Sequence, residues 1–543
     1  MPLRSHRGAA TAIPAYGYLY SASINNNNDD DTHLQPDDHA HTSRINQPAP
    51  YVPGSPLRHI NDDDNDNGAS LKHDDDDTRP PAVGEVMENR LREVCHSIGE
   101  SEQQTQTVPN SYPLQDGDPL SNSPDLALSR WVTNKHPKHL SFPAHGTAIV
   151  TCLLFSHGRI ISASDDHSIH VYSPATGELL QSLDGHKGGV WALAASRDTV
   201  VSGSTDRTVR IWDLNTGRCT HVFAGHTSTV RCLAIIRPEV VDIEGGDGAS
   251  TREKWPKRSL IVTGSRDHSL RIWTLPHKSD PEYRWSGVDN ADVELSEEDV
   301  EENPYHRLHL EGHDHAVRAL AAKGRTLVSG SYDCTVRVWD IITGECKWVL
   351  VGHTQKVYSV VLDLHRSIAC SGSMDGTVRV WNLRNGQCQH TLTGHTSLVG
   401  LLGLSPSYLV SAAADSTLRI WDPDSGELCH ILAAHGGAIR CFQHDESKVL
   451  SGSSDGTLTM WNVREGTAVR DLLTGADDVP QVVFEGRYCA AASNRNNETT
   501  LDVWDFGPED GNWVREPPGG TSEDSKEEDG VELAAQFANL GCS

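Results

Sequence analysis

The sequence predicts an all-β protein, an eight-bladed β-propeller with acidic, disordered tails at both ends. The first observation is a unit that ends in an aromatic residue and recurs eight times, at Tyr172, Trp212, Trp273, Trp339, Trp381, Trp421, Trp461 and Trp504. The second is the spacing of these residues, mostly 40 to 43 positions, which is the length of a four-stranded blade. The third is a change of composition outside residues 139–506.

The two ends of the chain differ in composition from its middle. Residues 1–125 are rich in Asn, Asp, Ser, Gln and Pro and include the tracts NNNNDDD and NDDDNDN. Residues 508–543 contain the similar run SEDSKEEDG. Because such segments bury too little apolar surface to offset the entropy of ordering, we expect both to be disordered.

Each unit shows the pattern of half-buried strands joined by tight turns. In SGSTDRTVRIWDLNTG (202–217), apolar and polar residues alternate along TVRIW, and the residues around this run favour turns. The eighth unit supplies no outer strand, whereas HLSFPAH (139–145) resembles an outer strand with no inner strands before it. We therefore expect the N-terminal segment to complete the eighth blade and to close the ring.

Two spacings are longer because the third blade carries insertions. Residues 242–258 interrupt the connection between its first and second strands, and residues 277–304 interrupt that between its third and fourth. Alternate turns of an antiparallel meander lie on the same face, so both insertions are expected on one face of the propeller. The acidic run SEEDVEE of the second insertion is expected to be a solvated loop.

Composition argues against several classes of function. A formal net charge of -29 disfavours general nucleic-acid binding, which depends on neutralising phosphates. No stretch approaches the roughly 18 apolar residues of a membrane span, and the N-terminus lacks the apolar core of a secretory signal. The 12 cysteines have no paired zinc-ligand spacing. Residues 63–74 resemble a calcium loop but carry Ser70 at the apolar position. We expect no metal, no cofactor and a reducing compartment.

Two repeat positions hold residues that differ from blade to blade. The four strands of a blade are called a to d from the centre of the ring outwards. The inner-strand position is the residue after the Val or Ile that opens strand a. The turn position is the residue before the Asp in the turn between strands b and c. Both are expected on the face opposite the insertions, near the central channel. Arginine and aromatic residues occupy these positions in some blades: Trp191, Arg231, Arg318, Tyr358 and Arg440 in the inner strands, Arg266 and Tyr332 in the turns, and Arg495 at a comparable place in the eighth unit.

This clustering predicts an anion site on the rim of the channel. Other blades place Thr151, Gly400, Asp165 or Thr205 at the same positions, so the repeat itself does not require arginine there. Arginines such as Arg210, in contrast, recur on strand c of most blades and are expected to lie on the surface. Guanidinium groups bind phosphate bidentately, and aromatic rings contact the residues beside it. We expect the rim to bind a phosphorylated peptide.

The units resemble WD repeats over about residues 139–506. The resemblance rests on the GH dipeptides at 185–186, 225–226, 312–313, 352–353 and 394–395 and on the WD or WN endings. It implies that the histidine, the turn aspartate and the strand tryptophan of each unit, such as His186, Asp206 and Trp212, form a buried hydrogen-bond network. Seven such His and Asp sets recur, whereas catalysis needs one distinct constellation, so we expect a binding module and not an enzyme.

Several segments resemble one branch of this family more closely. HVFAGHTSTVRCL (221–233), GHKGGVWAL (185–193) and TGSRD (263–267) are similar to the cell-division-control branch of F-box/WD-repeat proteins, and residues 130–155 resemble its fungal members. Those proteins are substrate receptors of SCF-type ubiquitin ligases and recognise phosphoserine or phosphothreonine degrons that usually include proline. The resemblance implies phosphorylated Ser/Thr-Pro proteins as partners and a nuclear and/or cytoplasmic location.

The same resemblance assigns roles to individual residues. It places Arg231, Arg266 and Arg318 at the phosphate. It also matches Trp191, Ser228, Thr229, Tyr332, Tyr358 and Arg495 to pocket positions, while Arg440 is matched less well.

One family feature has no recognisable counterpart. An F-box, the helical segment that docks the ligase adaptor, is expected before the propeller, but only residues 84–100 favour a helix and no leucine-rich multi-helix segment is evident. Three hypotheses follow. The chain is a phosphodegron receptor of an SCF ligase, a phosphopeptide-binding scaffold or competitor without ligase coupling, or a general WD-repeat interaction scaffold.

Overall fold

The described part of the chain is built almost wholly of β-strands. The computed structural model describes residues 131–507 except 135, 245–249, 286 and 288–301. Within them, eight four-stranded antiparallel sheets and one two-stranded hairpin form, which confirms the predicted eight-bladed β-propeller. Residues 1–125 and 508–543, with the expected disorder, the calcium-like loop and the segment 84–100, lie outside the described residues.

Blades 1 to 4 follow one another along the chain, each written here from strand a to strand d. Blade 1 comprises β2 (Val150–Ser156), β3 (Arg159–Ser164), β4 (Ile169–Tyr172) and β5 (Leu179–Leu183). Blade 2 comprises β6 (Val190–Ser196), β7 (Thr199–Ser204), β8 (Val209–Asp213) and β9 (Arg218–Phe223). Blade 3 comprises β10 (Val230–Ile236), β13 (Leu260–Ser265), β14 (Leu270–Thr274) and β15 (His306–Leu310). Blade 4 comprises β16 (Val317–Lys323), β17 (Thr326–Ser331), β18 (Thr335–Asp340) and β19 (Cys346–Val351).

Blades 5 to 8 continue in the same order until the ring closes. Blade 5 comprises β20 (Val357–Asp363), β21 (Ile368–Ser373), β22 (Val378–Asn382) and β23 (Cys388–Leu392). Blade 6 comprises β24 (Val399–Leu404), β25 (Leu409–Ala413), β26 (Leu418–Trp421) and β27 (Leu428–Leu432). Blade 7 comprises β28 (Ile439–His444), β29 (Lys448–Ser453), β30 (Leu458–Asn462) and β31 (Thr467–Leu473). Blade 8 comprises β32 (Asp478–Glu485), β33 (Tyr488–Arg495), β34 (Glu498–Asp505) and β1 (Lys138–Pro143).

The ring closes through the N-terminal strand. β1 pairs antiparallel with β34, in register from Lys138 opposite Asp505 to Pro143 opposite Thr500, which confirms the expected closure. Beside this junction the Trp131 ring stacks on Phe506, with centroids 4.0 Å apart. Blade 8 is therefore assembled from residues at both ends of the repeat region, and its outer strand must bind before the ring is complete.

The core lies between the blades. Eight hydrophobic clusters occur, and each draws residues from two neighbouring blades, including one that joins blade 8 to blade 1. Inner strands such as β2 are buried along their whole length because blades cover both of their faces, whereas outer strands such as β5 are largely exposed. The positions nearest the channel are thus held by a packed and rigid frame.

A directed chain of hydrogen bonds from tryptophan to aspartate braces blades 2 to 6. In blade 2, Trp212 Nε1 donates to Ser202 Oγ (2.8 Å), and the Ser202 hydroxyl donates to His186 Nε2 (2.7 Å). His186 Nδ1 then donates to Asp206 (2.7 Å). Burial alone would raise the pKa of Asp206, but the hydrogen bond from His186 holds it well below its ordinary value. The corresponding histidines of blades 3 to 6 are His226, His313, His353 and His395, which confirms the structural assignment of these sets. In blade 1, His145 bonds Ser162 and Asp166 but Tyr172 replaces the tryptophan, and in blade 7, His435 bonds Ser451 and Thr457.

The arginines of strand c are more buried than expected. Arg210 is 5% exposed and Arg271 is 8% exposed, so the expectation that they lie on the surface is wrong. They pack beneath the glycine of the GH dipeptide. A Cβ on Gly312 would lie 2.6 Å from Arg337 Nη1, and the Gly312 backbone has φ +149°. Glycine is therefore favoured at position 312, because side chains rarely adopt this backbone conformation and the Arg337 guanidinium lies beside it.

The two insertions of blade 3 contain structure that the sequence pattern did not predict. The first forms a hairpin of β11 (Glu239–Glu244) and β12 (Ser250–Trp255) between β10 and β13. The second runs along the outer edge of blade 2, where the Val222 amide donates to the Tyr283 carbonyl (2.9 Å) and the Trp285 amide donates to the Val222 carbonyl (3.2 Å). The edge of β9 is thereby covered. Most of the acidic run SEEDVEE lies outside the described residues.

Candidate functional site

A β-bulge occurs at the inner-strand position of blade after blade. In blade 3, Val230 pairs with Ser265 and Cys232 pairs with Gly264, so Arg231 between them has no residue opposite it in β13. The same shift in register falls at Thr151, Trp191, Arg318, Tyr358, Gly400 and Arg440. A bulge locally releases a residue from the strand ladder and re-aims its side chain. The side chain at the inner-strand position is thus released from the strand pairing, while the rest of the sheet stays regular.

The turn position lies directly beside the inner-strand position. The Arg266 amide donates to the Thr229 carbonyl (2.9 Å), and Ser265 Oγ donates to the Ser228 carbonyl (3.1 Å). Blade 4 repeats the arrangement, with the Tyr332 amide donating to the Ala316 carbonyl (3.0 Å). The backbone of Ser228 and Thr229 therefore fixes the turn that carries Arg266. Thr229 stands two residues before Arg231 in the chain.

Side chains from these positions meet across blade boundaries. Arg231 of blade 3 lies over the Trp191 ring of blade 2, with Cζ 4.1 Å from the ring centroid. Arg318 of blade 4 lies 5.8 Å from the Tyr358 ring of blade 5. The Tyr358 and Tyr332 rings have centroids 5.2 Å apart. We name as the arginine–aromatic cluster the six residues that these contacts and the turn of blade 3 bring together: Trp191, Arg231, Arg266, Arg318, Tyr332 and Tyr358.

The three arginines of the cluster differ in exposure. Arg318 is buried at 5% exposure, Arg231 is half-buried and Arg266 is exposed. Burial, followed by the neighbouring Tyr332, raises the pKa of Tyr358, while Arg318 and Arg231 act in the opposite direction. The Tyr358 phenol therefore stays protonated near neutral pH. The cluster offers three guanidinium groups and apolar ring faces, which suits a doubly charged oxyanion attached to a peptide.

The structure places Arg440 in an ion pair. Its Nε donates to Asp478 Oδ1 (3.3 Å), and both side chains are largely buried. Burial raises the pKa of Asp478, although Arg440 lowers it. The charge of Arg440 is thus engaged by a carboxylate of the next blade.

Arg495 belongs to a different network. Its Nη2 donates to Asp502 Oδ2 (3.0 Å), and this fully buried carboxylate also accepts bonds from His139 Nε2 (2.9 Å) and Ser493 Oγ (2.8 Å). Blade 8 has Ala476 where other blades have the GH histidine. Among the described contacts, the Arg495 side chain braces this blade and does not meet the arginine–aromatic cluster.

Three further basic residues lie on the same rim and were missed by sequence reasoning. His268 lies in the turn that also holds Arg266, and His315 and Lys356 lie in the turns that lead into the inner strands of Arg318 and Tyr358. Their turns are recognisable in the sequence, but none of the three stands at the inner-strand or turn position of its repeat. Other kinds of site have no support in the described residues, which contain no group of three His, Cys, Asp or Glu side chains suited to a metal. Nor does any helix among them have the length and apolarity to cross a bilayer.

Comparison with known proteins identifies the repeats. The family model "WD domain, G-beta repeat" matches residues 137–173, 177–213, 250–274, 304–340, 344–382, 386–422 and 426–462. Strands β32, β33 and β34 of blade 8 lie outside these segments, whereas its outer strand β1 lies within the first of them. A computationally designed protein, Ika8, is similar in structure, with a TM-score of 0.53 and 27% identity over 67% of this chain and 98% of that one.

Two fungal proteins are similar in sequence. "Cell division control protein 4" of Candida albicans is 44% identical over 287 residues, which are 52% of this chain and 40% of that protein. "WD repeat-containing protein pop2" of Schizosaccharomyces pombe is 41% identical over 245 residues, which are 45% of this chain and 33% of that protein. The chain thus spans well under half the length of the curated relatives that it matches.

Proposed function

Because this chain is an eight-bladed propeller of WD repeats, we propose that it binds proteins carrying a phosphorylated serine or threonine. WD-repeat propellers are typically interaction modules without catalytic activity. One observation carries the proposal. Arg231 and Arg318 lie against Trp191 and Tyr358 on one rim of the channel, Tyr358 lies against Tyr332, and the turn that carries Arg266 is bonded to the entry of the strand that carries Arg231.

The charge of the whole protein favours a local anion site over general polyanion binding. A formal net charge of -29 repels extended polyanions such as nucleic acids. A cluster of guanidiniums on a rigid rim, in contrast, binds one phosphate strongly, since each charge-assisted hydrogen bond contributes about 1.5–3 kcal/mol. The aromatic rings beside it suit a proline or another apolar residue next to the phosphate.

The biological role that we propose is that of a substrate receptor in an SCF-type ubiquitin ligase. The similarity to a protein named for cell division control supports this role, as does the match of Arg231, Arg266 and Arg318 to the family's phosphate-binding residues. A phosphopeptide-binding scaffold or competitor without ligase coupling is the second candidate. A nuclear and/or cytoplasmic location accompanies either role.

Fluorescence polarisation tests the binding function. A labelled Thr-Pro peptide and its phosphothreonine twin are titrated with the full chain and with Arg231→Ala. We expect strong preference for the phosphopeptide, lost in the variant. Arg384→Ala is the matched control, because Arg384 is an exposed arginine in a c–d turn, on the opposite face. Equal affinity for the two peptides would rule out the proposal and leave a general interaction scaffold.

A pull-down with the SCF adaptor then separates receptor from competitor. The full chain is immobilised and incubated with purified adaptor protein, with the phosphopeptide present to show that the propeller is active. Retention of the adaptor supports the receptor role, and failure to retain it, with peptide binding intact, supports the uncoupled role.

A further inference from the structure

The outer edges of blades 2 and 4 differ in how they are covered. In blade 2 the chain supplies its own cover, because the amide and carbonyl of Val222 bond to the backbone of Tyr283 and Trp285. Val222 is only 1% exposed as a result. In blade 4, β19 is the last strand of its sheet, and the part of the chain that the structure describes pairs no strand with its outer side. The same kind of edge is therefore closed in one blade and open in the other.

Val349 of β19 holds the place that Val222 holds in blade 2. Val222 lies opposite Arg210, and Val349 lies opposite Arg337, the equivalent arginine of blade 4. Because backbone groups alternate in direction along an antiparallel strand, the amide and carbonyl of Val349 point away from the sheet, as those of Val222 do. β19 thus presents a hydrogen-bond donor and an acceptor to an added strand.

The open edge is also apolar. Val349 is 47% exposed and Val351 is 74% exposed, and side chains two residues apart lie on one face of a strand. Blade 6 has Ile431 at the place of Val349, but Ala433 follows at the place of Val351. Polar residues hold the place of Val349 in five other blades, namely Ser141, Ser182, His309, Thr391 and Asp471. The repeat therefore does not require this pair of valines.

One segment of the N-terminal region has the pattern of a strand that fits this edge. Residues 8–24 contain no charged residue, in contrast to the acidic tracts that follow them. Within this stretch, AYGYLYSA (15–22), which lies outside the described residues, has tyrosine at every second position from 16 to 20. Tyrosine favours strands, and alternate residues of a strand share a face. As a strand, this segment would carry three aromatic rings on one face.

We propose that residues 15–22 add a strand to the outer edge of β19 in the same molecule and cover Val349 and Val351. Aromatic rings beside β-branched residues form favourable cross-strand pairs. The added strand bonds to the outward amide and carbonyl of Val349 and shields the edge from strands of other molecules. This contact does not depend on phosphopeptide binding, because it lies on the outside of the ring and the arginine–aromatic cluster lies beside the channel.

The chain is long enough for this contact. Between Ala22 and Trp131, which stacks on Phe506 beside blade 8, lie 108 residues. An extended chain of this length spans roughly 390 Å at about 3.6 Å per residue. Since strands of a sheet lie about 4.8 Å apart, two opposite blades and the channel between them measure on the order of 50 Å. The tether also raises the local concentration of the segment, which favours binding within one molecule over binding between molecules.

Photo-cross-linking tests where the segment binds. A benzophenone amino acid is placed at position 18 of the full chain, the protein is mixed with an isotope-labelled copy and illuminated, and the cross-linked peptides are mapped by mass spectrometry. We expect links from position 18 to residues 345–353 within one molecule. The proposal is overturned by links to another outer strand such as β5 or β27, by links between labelled and unlabelled copies, or by the absence of a link to β19.

Hydrogen exchange measures the protection of the edge. After correction for intrinsic rates, we expect the amides of β19 to exchange about ten-fold faster when residues 15–22 are deleted from the full chain. The same increase is expected in Val349→Lys/Val351→Lys, because charged side chains on an edge oppose strand addition. Thr391→Lys/Thr393→Lys is the matched control and should leave the exchange of β19 unchanged, since these exposed residues hold the same two places in blade 5.

A rescue experiment connects the deletion to the segment itself. A synthetic peptide of residues 15–22, added in excess to the deleted chain, should restore the protection of β19 and should fail to do so in Val349→Lys/Val351→Lys. Exchange that is unchanged by the deletion or by the double valine substitution would overturn the proposal. An equal increase in the threonine control would also overturn it, because added charge alone would then account for the effect.

Discussion

The guanidinium of Arg231 stacks on the indole ring of Trp191, with Cζ 4.1 Å from the ring centroid, although the two residues come from neighbouring blades. Each is the bulged residue of its inner strand. The ring orients the guanidinium and excludes water from one of its faces, so the arginine is held in place before a ligand arrives. Binding then requires little ordering of this side chain.

This stacking predicts coupling between the two residues. Trp191→Ala should weaken phosphopeptide binding about five-fold, because cation–π contacts contribute about 0.5–2 kcal/mol. Arg231→Ala should weaken it more, and the double variant should resemble Arg231→Ala alone. A double-mutant cycle by fluorescence polarisation measures the coupling. Additive losses would show that Trp191 contacts the peptide independently of Arg231.

The arginines should differ in what their removal costs. Arg266→Ala should reduce phosphopeptide affinity about 10- to 100-fold without changing the melting temperature, since Arg266 is exposed. Arg440→Ala should lower the melting temperature and leave the phosphopeptide affinity nearly unchanged, because it leaves the buried Asp478 without the guanidinium that it contacts. Titration and thermal melts of both variants check this. A large loss of affinity in Arg440→Ala, without destabilisation, would place Arg440 in the site after all.

Two glycines of β24 should differ in how much the same substitution destabilises the protein. A Cβ on Gly400, at the inner-strand position, meets nothing within 4 Å, whereas a Cβ on Gly403 would lie 2.6 Å from the His444 ring. Gly400→Ala should therefore leave the free energy of unfolding within about 0.5 kcal/mol of the original, and Gly403→Ala should lower it by about 1–3 kcal/mol. Denaturant titrations measure both, and equal effects would contradict the packing described.

Acid should destabilise the fold through its buried histidines. Burial lowers the pKa of His186 and His226, and burial with the adjacent Arg271 lowers that of His306 to about 4. A depressed pKa means that the unfolded chain takes up protons first, so stability is complete above about pH 6.5 and falls as the pH drops toward 4. Thermal melts between pH 7.5 and 4.5 should show this fall, and His306→Gln should make it shallower. A flat profile would be inconsistent with these neutral histidines.

Removal of the N-terminal strand should open the ring. A chain that begins at residue 145 lacks β1 and leaves β34 as an exposed edge, whereas one that begins at residue 126 retains both β1 and Trp131. We expect the shorter chain to melt at a much lower temperature or to aggregate, because an unpaired edge strand invites association. Scanning calorimetry and light scattering compare the two. Similar melting temperatures would show that closure through β1 contributes little.

The sequence predicted the blades and the closure because both depend on local signals. Periodic aromatic residues and turn residues mark each unit, and HLSFPAH alone lacked inner strands. The pairing of residues 283–285 with blade 2 could not be predicted in the same way, since it joins segments about 60 positions apart without a repeating pattern. The burial of Arg210 could not be predicted from the pattern of its strand. The alternation of residues shows which side chains share a face, but it does not show which face a neighbouring blade covers.

The candidate site was predicted in part. Comparing the same position across blades singled out Arg231, Arg266 and Arg318, and the structure shows why these places hold unusual residues. The partners of Arg440 and Arg495 were not predicted. Asp478 reaches Arg440 through the packing of blade 8 against blade 7, and Asp502 reaches Arg495 through the pairing of β33 with β34. Contacts between side chains of different blades depend on the closed ring, which no local pattern encodes.

The bulge at each inner strand has a consequence for how such rings diversify. A residue outside the strand ladder can be exchanged without disturbing the pairing on either side, and Gly400 shows that even an empty place is tolerated. Selection can therefore alter the ligand by single substitutions at these bulges, while the frame of the blades is inherited unchanged.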